Sequence, residues 1–254
     1  MLLAFDIGNS DITIGYWDTH SWKHQWRIPT SVVQPELFYA VTLRDYFFEC
    51  GVKLDSIDQV VVSSVVPALT DRMVSVCTTL FNATPIILGP ELYKKLPIEI
   101  LNPYEIGADL VSNALAAYTH FHRSCIIVDF GTALTFTTLS GKGVIEGVAI
   151  APGLKTAIKS LSQNTARLFD VPLQLPDSVL GKSTVHAIQA GILYGYEGIV
   201  INMIRKIREE LKDETVPVIA TGGLSSIITS LSAHVTETNP DLTLDGLRIA
   251  VEFA

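Results

Sequence analysis

Three short turns carry the residues of this chain best suited to chemistry: Asp6-Ile7-Gly8-Asn9-Ser10, Asp129-Phe130-Gly131-Thr132 and Thr221-Gly222-Gly223-Leu224. Glycine admits positive φ and lets backbone approach a ligand, while Ser, Thr and backbone N–H groups donate to phosphate oxygens. The two Asp-x-Gly turns sit inside similar stretches, LLAFDIGNSDITIG at 2–15 and CIIVDFGTALTFTT at 125–138, about half the chain apart. Such a repeat implies two related halves, each opened by a strand, a tight turn and a returning strand. Two facing hairpins can clasp a polyphosphate, and a third glycine turn can admit an adenosine. No Walker-type Gly/Lys loop occurs. A carboxylate at a strand end, as Asp6 and Asp129 would be, holds a cation or its water shell beside phosphates, or it caps turn N–H groups.

A further carboxylate stands in LNPYEIGADLVSNALAAY, residues 101–118. Asn102-Pro103 breaks the preceding segment, a helix is expected to begin near Ile106, and Asp109 falls close to its N-terminus. There a carboxylate accepts backbone hydrogen bonds and gains from the helix dipole; this either stabilises the helix or keeps a base ionised. Leu110 shares a helical stripe with Ile106, Ala114, Ala117 and Phe121 and is expected in the core, with Asp109 on a neighbouring face.

Other chemistries find no support. Cys50, Cys77 and Cys125 form no CxxC pair, and the six histidines form no metal-ligand constellation or hydrolase triad. A formal net charge of -8 argues against a large nucleic-acid footprint. The N-terminal run lacks a basic leader, and no window reaches the ~18 apolar residues that a membrane helix requires.

The elements that must position these residues follow from periodicity. Residues 58–66 and 84–88 read as buried strands, and 35–50, 68–82 and 183–211 as helices, the last capped by Ser183 and rich in Ala190, Gly191, Gly195 and Gly198. GVIEGVAIAPG continues the second hairpin's sheet, and VPVIATGGLS reads as a strand, a glycine turn and a further helix. Strands alternating with helices give an α/β fold with largely parallel sheets.

With these motifs in order, the chain resembles the type III pantothenate kinases over nearly its whole length. The resemblance is carried by Asp6-Ile-Gly-Asn-Ser10, Trp26-Arg-Ile-Pro-Thr30, Ser64-Val-Val-Pro67, Asn102-Pro-Tyr-Glu-Ile-Gly-Ala-Asp109, Asp129-Phe-Gly-Thr-Ala133, Ala151-Pro-Gly-Leu154, Gly181-Lys-Ser-Thr184, Thr221-Gly-Gly-Leu224 and Asp241-Leu-Thr-Leu-Asp-Gly-Leu247. It implies a duplicated actin-like, sugar-kinase-like (ribonuclease H-like) α/β fold, with lobes at 1–118 and 119–254 and a cleft between them. It implies ATP-dependent phosphorylation of pantothenate in coenzyme A biosynthesis by a cytoplasmic homodimer, with Mg²⁺ and a monovalent cation, K⁺ or NH₄⁺, and no nucleic-acid or membrane partner.

By the same resemblance, Asp6, Ile7, Gly8, Asn9, Ser10, Asp11, Ile12, Thr13 and Thr132 would contact ATP, and Asp129 would bind the monovalent cation. Tyr93, Gly107, Ala108, Asp109, Leu110 and Thr184 would line the acceptor pocket, with Asp109 as general base. One departure matters. The family pattern is Gly-Ala-Asp-Arg, and here Leu110 stands where the arginine would pair with a substrate carboxylate. Lys94, Lys95, Arg167 or Lys182 could replace that charge. Without it, the resemblance also accommodates a kinase with an altered acceptor or a non-catalytic regulatory homologue.

Overall fold

The computed structural model describes residues 1–164 and 168–254; Arg167 lies outside the described residues. The chain runs β1 (Leu2–Ile7), β2 (Asp11–Trp17), β3 (Trp22–Pro29), α1 (Glu36–Glu49), β4 (Gln59–Ser64), α2 (Pro67–Phe81), β5 (Ile86–Ile87), α3 (Pro90–Tyr93) and α4 (Ala108–Phe121). It continues through β6 (Cys125–Phe130), β7 (Ala133–Leu139), β8 (Ile145–Pro152), α5 (Leu154–Asn164), α6 (Thr184–Leu211), β9 (Val218–Thr221), β10 (Glu237–Thr238) and α7 (Leu242–Ala250).

Two compact units result, one formed by Met1–Ala116 with Leu242–Ala254 and the other by Ala117–Asp241. The first unit's sheet has strand order β3-β2-β1-β4-β5, antiparallel from β3 to β1 and parallel from β1 to β5. The second has order β10-β9-β6-β7-β8, again with one antiparallel hairpin wing and one parallel wing. The sheets are therefore mixed rather than largely parallel, because each Asp-x-Gly turn folds its two strands directly back on each other.

Alternation along β1 sets the first core. Leu3, Phe5 and Ile7 point to one face, where they meet Val60 and Val62 of β4, Leu43 and Phe47 of α1, and Met73 and Cys77 of α2. The opposite face carries Ala4, Asp6, Val61 and Ser63 and is covered by α7. Gly15 on that face is a close approach, since a Cβ there would stand 2.9 Å from the Leu244 side chain. Two further contacts fasten α7: the Ser112 hydroxyl donates to the Thr243 carbonyl at 2.7 Å, and the Trp22 indole N–H donates to Asp245 at 2.9 Å.

In the second unit Ile126, Val128, Phe130, Leu134 and Phe136 pack against Leu193, Tyr196, Val200 and Ile204 of α6. The Ser183 hydroxyl caps α6 by accepting the His186 N–H at 3.2 Å, as its sequence suggests. Among the described residues α6 is a helix long and apolar enough, by length and mean hydropathy alone, to cross a membrane. Its buried stripe faces the second unit's own core, while Gly191, Gly195 and Gly198 lie exposed.

No α-helix follows the third glycine turn. Residues 222–228 form turns, and only a short 3₁₀ helix, Thr229–Ala233, precedes β10. The segment holds Ser225, Ser226, Thr229, Ser230 and Ser232, residue types that are poorer helix formers than alanine or leucine.

Candidate active site

In the first unit, the chain leaves β1 at Ile7 and reverses through Gly8–Ser10, where the Gly8 N–H donates to the Asp11 carbonyl at 3.0 Å. Thr30 at the end of β3 braces this turn: its N–H donates to the Ser10 carbonyl at 2.9 Å and its hydroxyl to the Gly8 carbonyl at 2.7 Å. Asn9 and Ser10 are exposed, Asp6, Asp11 and Thr13 half-buried, and the Ile7 and Ile12 side chains wholly within the core. The two isoleucines therefore offer a ligand their backbone only. Across the sheet, Asp6 is paired with Thr13 on β2 and Ser63 on β4.

The same unit holds Tyr93, Gly107, Ala108, Asp109 and Leu110. The Asn102 carbonyl accepts the Glu105 and Ile106 N–H groups, so the helix begins at Ala108, slightly later than its sequence suggests. Asp109 lies in the first turn of α4, where its carboxylate accepts the Leu110 N–H at 2.9 Å. A Cβ on Gly107 would crowd the Asp109 carboxylate, so a side chain there would displace that carboxylate. Burial pushes the Asp109 carboxyl above its ordinary range, against the opposing pull of the Leu110 and Asp109 N–H groups. No cation of the described residues is among the causes acting on it.

Tyr93, at the end of α3, is 6% exposed. Burial first, and then the charge of Asp109, push its phenol up to about 12. It remains a neutral hydroxyl facing an acidic group at any working pH. Leu110 is 8% exposed, as its helical stripe predicts. Lys94 is paired with Glu91 at 2.8 Å, and Lys95 is exposed.

In the second unit the Gly131 N–H donates to the Ala133 carbonyl at 3.1 Å, forming the turn that carries Asp129 and Thr132. The Thr132 carbonyl accepts the Gly153 N–H at 3.0 Å and the Thr156 hydroxyl at 2.7 Å. Asp129 is paired with Thr221 on β9, which brings the third glycine turn beside it. Gly222 has φ +88°, and a Cβ there would stand 2.5 Å from the Asp129 carboxylate and 2.7 Å from the Phe130 backbone. The second and third turns are thus one assembly. Thr184 is exposed at the start of α6 and lines a cavity of about 400 Å³ with Leu161, Ile188, Gly191 and Ile192. Lys182 is exposed in the loop before it.

The histidines behave as satisfied or surface residues: His186 bonds the Ser178 carbonyl at 2.7 Å, His120 pairs with Glu237 at 2.8 Å, and His24 stacks between Tyr16 and Trp26. Among the described residues, no group of three or more His, Cys, Asp or Glu side chains could hold a metal ion. Two site neighbours escaped the sequence reading. Thr156 braces the second turn from α5, and Ser63 faces the Asp6 row from β4. Only strand register and helix placement reveal either.

The family model for type III pantothenate kinase matches residues 2–206. A type III pantothenate kinase of Pelobacter propionicus is 41% identical over 252 residues, covering 99% of each chain. Another, from Syntrophotalea carbinolica, is 40% identical over 249 residues, 98% of this chain and 97% of that protein. Among solved structures, MreB 5 of Spiroplasma citri bound to AMPPNP superposes with a TM-score of 0.52 at 10% identity, covering 98% of this chain and 95% of that one. The fold is the duplicated actin-like, sugar-kinase-like α/β fold, and by sequence the chain belongs to the type III pantothenate kinase family.

Proposed function

We propose that this protein transfers the γ-phosphoryl group of ATP to the primary hydroxyl of pantothenate, giving 4'-phosphopantothenate for coenzyme A biosynthesis. The observation that carries the assignment is Asp109, a carboxylate fixed by the first turn of α4 and faced by the neutral Tyr93 phenol, in a chain of this family. Asp109 acts as general base: it orients the acceptor hydroxyl and takes its proton as the oxygen bonds the γ-phosphorus and the bond to the bridging oxygen breaks, releasing ADP. Burial raises the basicity of Asp109 toward that task. Tyr93, Gly107, Ala108, Leu110 and Thr184 bind the acceptor.

The Asp6–Thr13 turn and Thr132 hold the nucleotide through backbone N–H groups and hydroxyls. The donor set suits a hydrated Mg²⁺, for which one carboxylate, waters and the phosphates suffice, so no all-protein cage is needed. When bound, that ion offsets phosphate charge. Asp129, beside Thr221 and the Gly222 turn, is the carboxylate suited to K⁺ or NH₄⁺. The working enzyme is a cytoplasmic homodimer, and the exposed small residues of α6 suit close helix packing across it.

Leu110 favours a second reading, an acceptor without a carboxylate. Incubating purified protein with Mg²⁺-ATP and radiolabelled pantothenate, with and without K⁺, beside carboxylate-free hydroxyl compounds, separates the two. Potassium-dependent 4'-phosphopantothenate is the expected result. Phosphorylation of carboxylate-free compounds alone selects the second reading, and no product from any acceptor rejects both.

A further inference from the structure

Ser63 is the last but one residue of β4, fully buried, and its hydroxyl has no hydrogen-bond partner. A buried hydroxyl left unmade destabilises the fold, and alanine would occupy the position without that cost. The strand is otherwise consistent: Val60, Val61 and Val62 precede it, and the neighbouring Ser64 hydroxyl is engaged by the Val66 N–H at 3.2 Å and the Thr70 hydroxyl at 2.8 Å. Ser63 alone has no structural explanation there.

Its position supplies a functional one. In the parallel register of β1 and β4, Ser63 is the cross-strand partner of Asp6, and the two side chains share the face opposite the core residues Phe5, Ile7 and Val62. Two residues further on, Val65 meets the Gly107 turn that introduces Asp109. The second unit has a related feature on its antiparallel side: Thr135, the cross-strand partner of Asp129 on β7, also has a buried hydroxyl without a partner, as does Thr137 opposite Ile127. Each Asp-x-Gly carboxylate is thus neighboured across its sheet by a buried hydroxyl that satisfies nothing in the protein.

We infer that Ser63 is a positioning residue for the nucleotide site: its hydroxyl holds an internal water against the Asp6 carboxylate and fixes that carboxylate toward the hydrated divalent ion accompanying ATP. A water would suit Ser63 because a bound water needs at least two polar partners, and the Ser63 hydroxyl and the Asp6 carboxylate lie side by side across the two strands. The inference rests on reading Asp6 as a nucleotide-site carboxylate.

Calorimetric titration of Ser63→Ala with ATP in excess Mg²⁺, and separately with ATP in EDTA, tests it without any acceptor present. Affinity for Mg²⁺-ATP is expected to fall about fivefold to tenfold, with metal-free ATP binding unchanged and the ligand-free Tm no lower than the parent's. Equal weakening of both titrations, or no weakening of either, overturns the inference. Ser63→Thr keeps the hydroxyl and is expected to retain the Mg²⁺-dependent increment. If Ser63→Ala does not fold, Ser63→Cys, of similar size but a weak donor, carries the same comparison. Because no acceptor is used, the result stands apart from whether pantothenate is phosphorylated.

Discussion

Asp109 acts on Tyr93: burial and the Asp109 charge push the Tyr93 phenol up to about 12, while burial alone raises the Asp109 carboxyl. In the proposed reaction this pair would supply a proton acceptor and a neutral donor around one developing alkoxide. The division of labour makes the two side chains separable by kinetics.

Asp109→Asn is expected to lower kcat about a hundredfold to ten-thousandfold, the usual contribution of a positioned base, while leaving ATP binding intact. The same change raises Tm at pH 7. A carboxyl whose pKa is higher folded than unfolded keeps its proton longer in the native state, so stability falls as pH rises through that window. The asparagine escapes this loss. The Tm advantage of the variant therefore shrinks as pH is lowered through the raised Asp109 range toward about 4, which thermal scans at several pH values check.

Tyr93→Phe removes a donor that never ionises in the assay range. We expect KM for the acceptor to rise up to about tenfold, the cost of one hydrogen bond, with kcat within about threefold of the parent. The alkaline limb of the kcat/KM profile stays where it was, because a group titrating near 12 does not shape it. An unchanged KM would remove Tyr93 from the acceptor pocket.

Leu110→Arg puts a guanidinium into the first turn of α4, one residue from Asp109. A cation there lowers a carboxylate's pKa, so the acid limb of kcat/KM moves to lower pH. It also provides the missing partner for a substrate carboxylate, and the preference for pantothenate over its neutral amides should grow about tenfold or more. Tm falls, because a buried leucine is lost and a positive charge is placed at a helix N-terminus.

Much of this was legible from residue order. The Asp6 and Asp129 hairpins declared themselves because a β-turn needs glycine at a local position and the flanking strands alternate locally, so both duplicated halves could be seen. The start of α4 was placed within about two residues for the same reason. Ser63 was invisible because its meaning lies in the register of β1 against β4, strands separated in sequence by β2, β3 and α1. The helix expected after Gly223 is absent from a stretch where five Ser and Thr residues lower the helix propensity. The return of α7 to the first unit depends on contacts such as Trp22 with Asp245, which no local spacing announces.

Gly222 and Gly51 give a matched pair for the third turn. Both have positive φ, +88° and +67°, so alanine at either costs the left-handed strain of about 1–2 kcal/mol. Around Gly51 a Cβ meets nothing within 4 Å, whereas at Gly222 it would stand 2.7 Å from the Phe130 backbone and 2.5 Å from the Asp129 carboxylate. Gly51→Ala is therefore expected to lower Tm by about 2–8 °C and leave turnover unchanged. Gly222→Ala should lower Tm further and, by displacing Asp129, reduce the stimulation of turnover by K⁺. Equal Tm losses in the two variants would show that backbone strain alone matters and that the close approach of the Gly222 turn to Asp129 carries no weight.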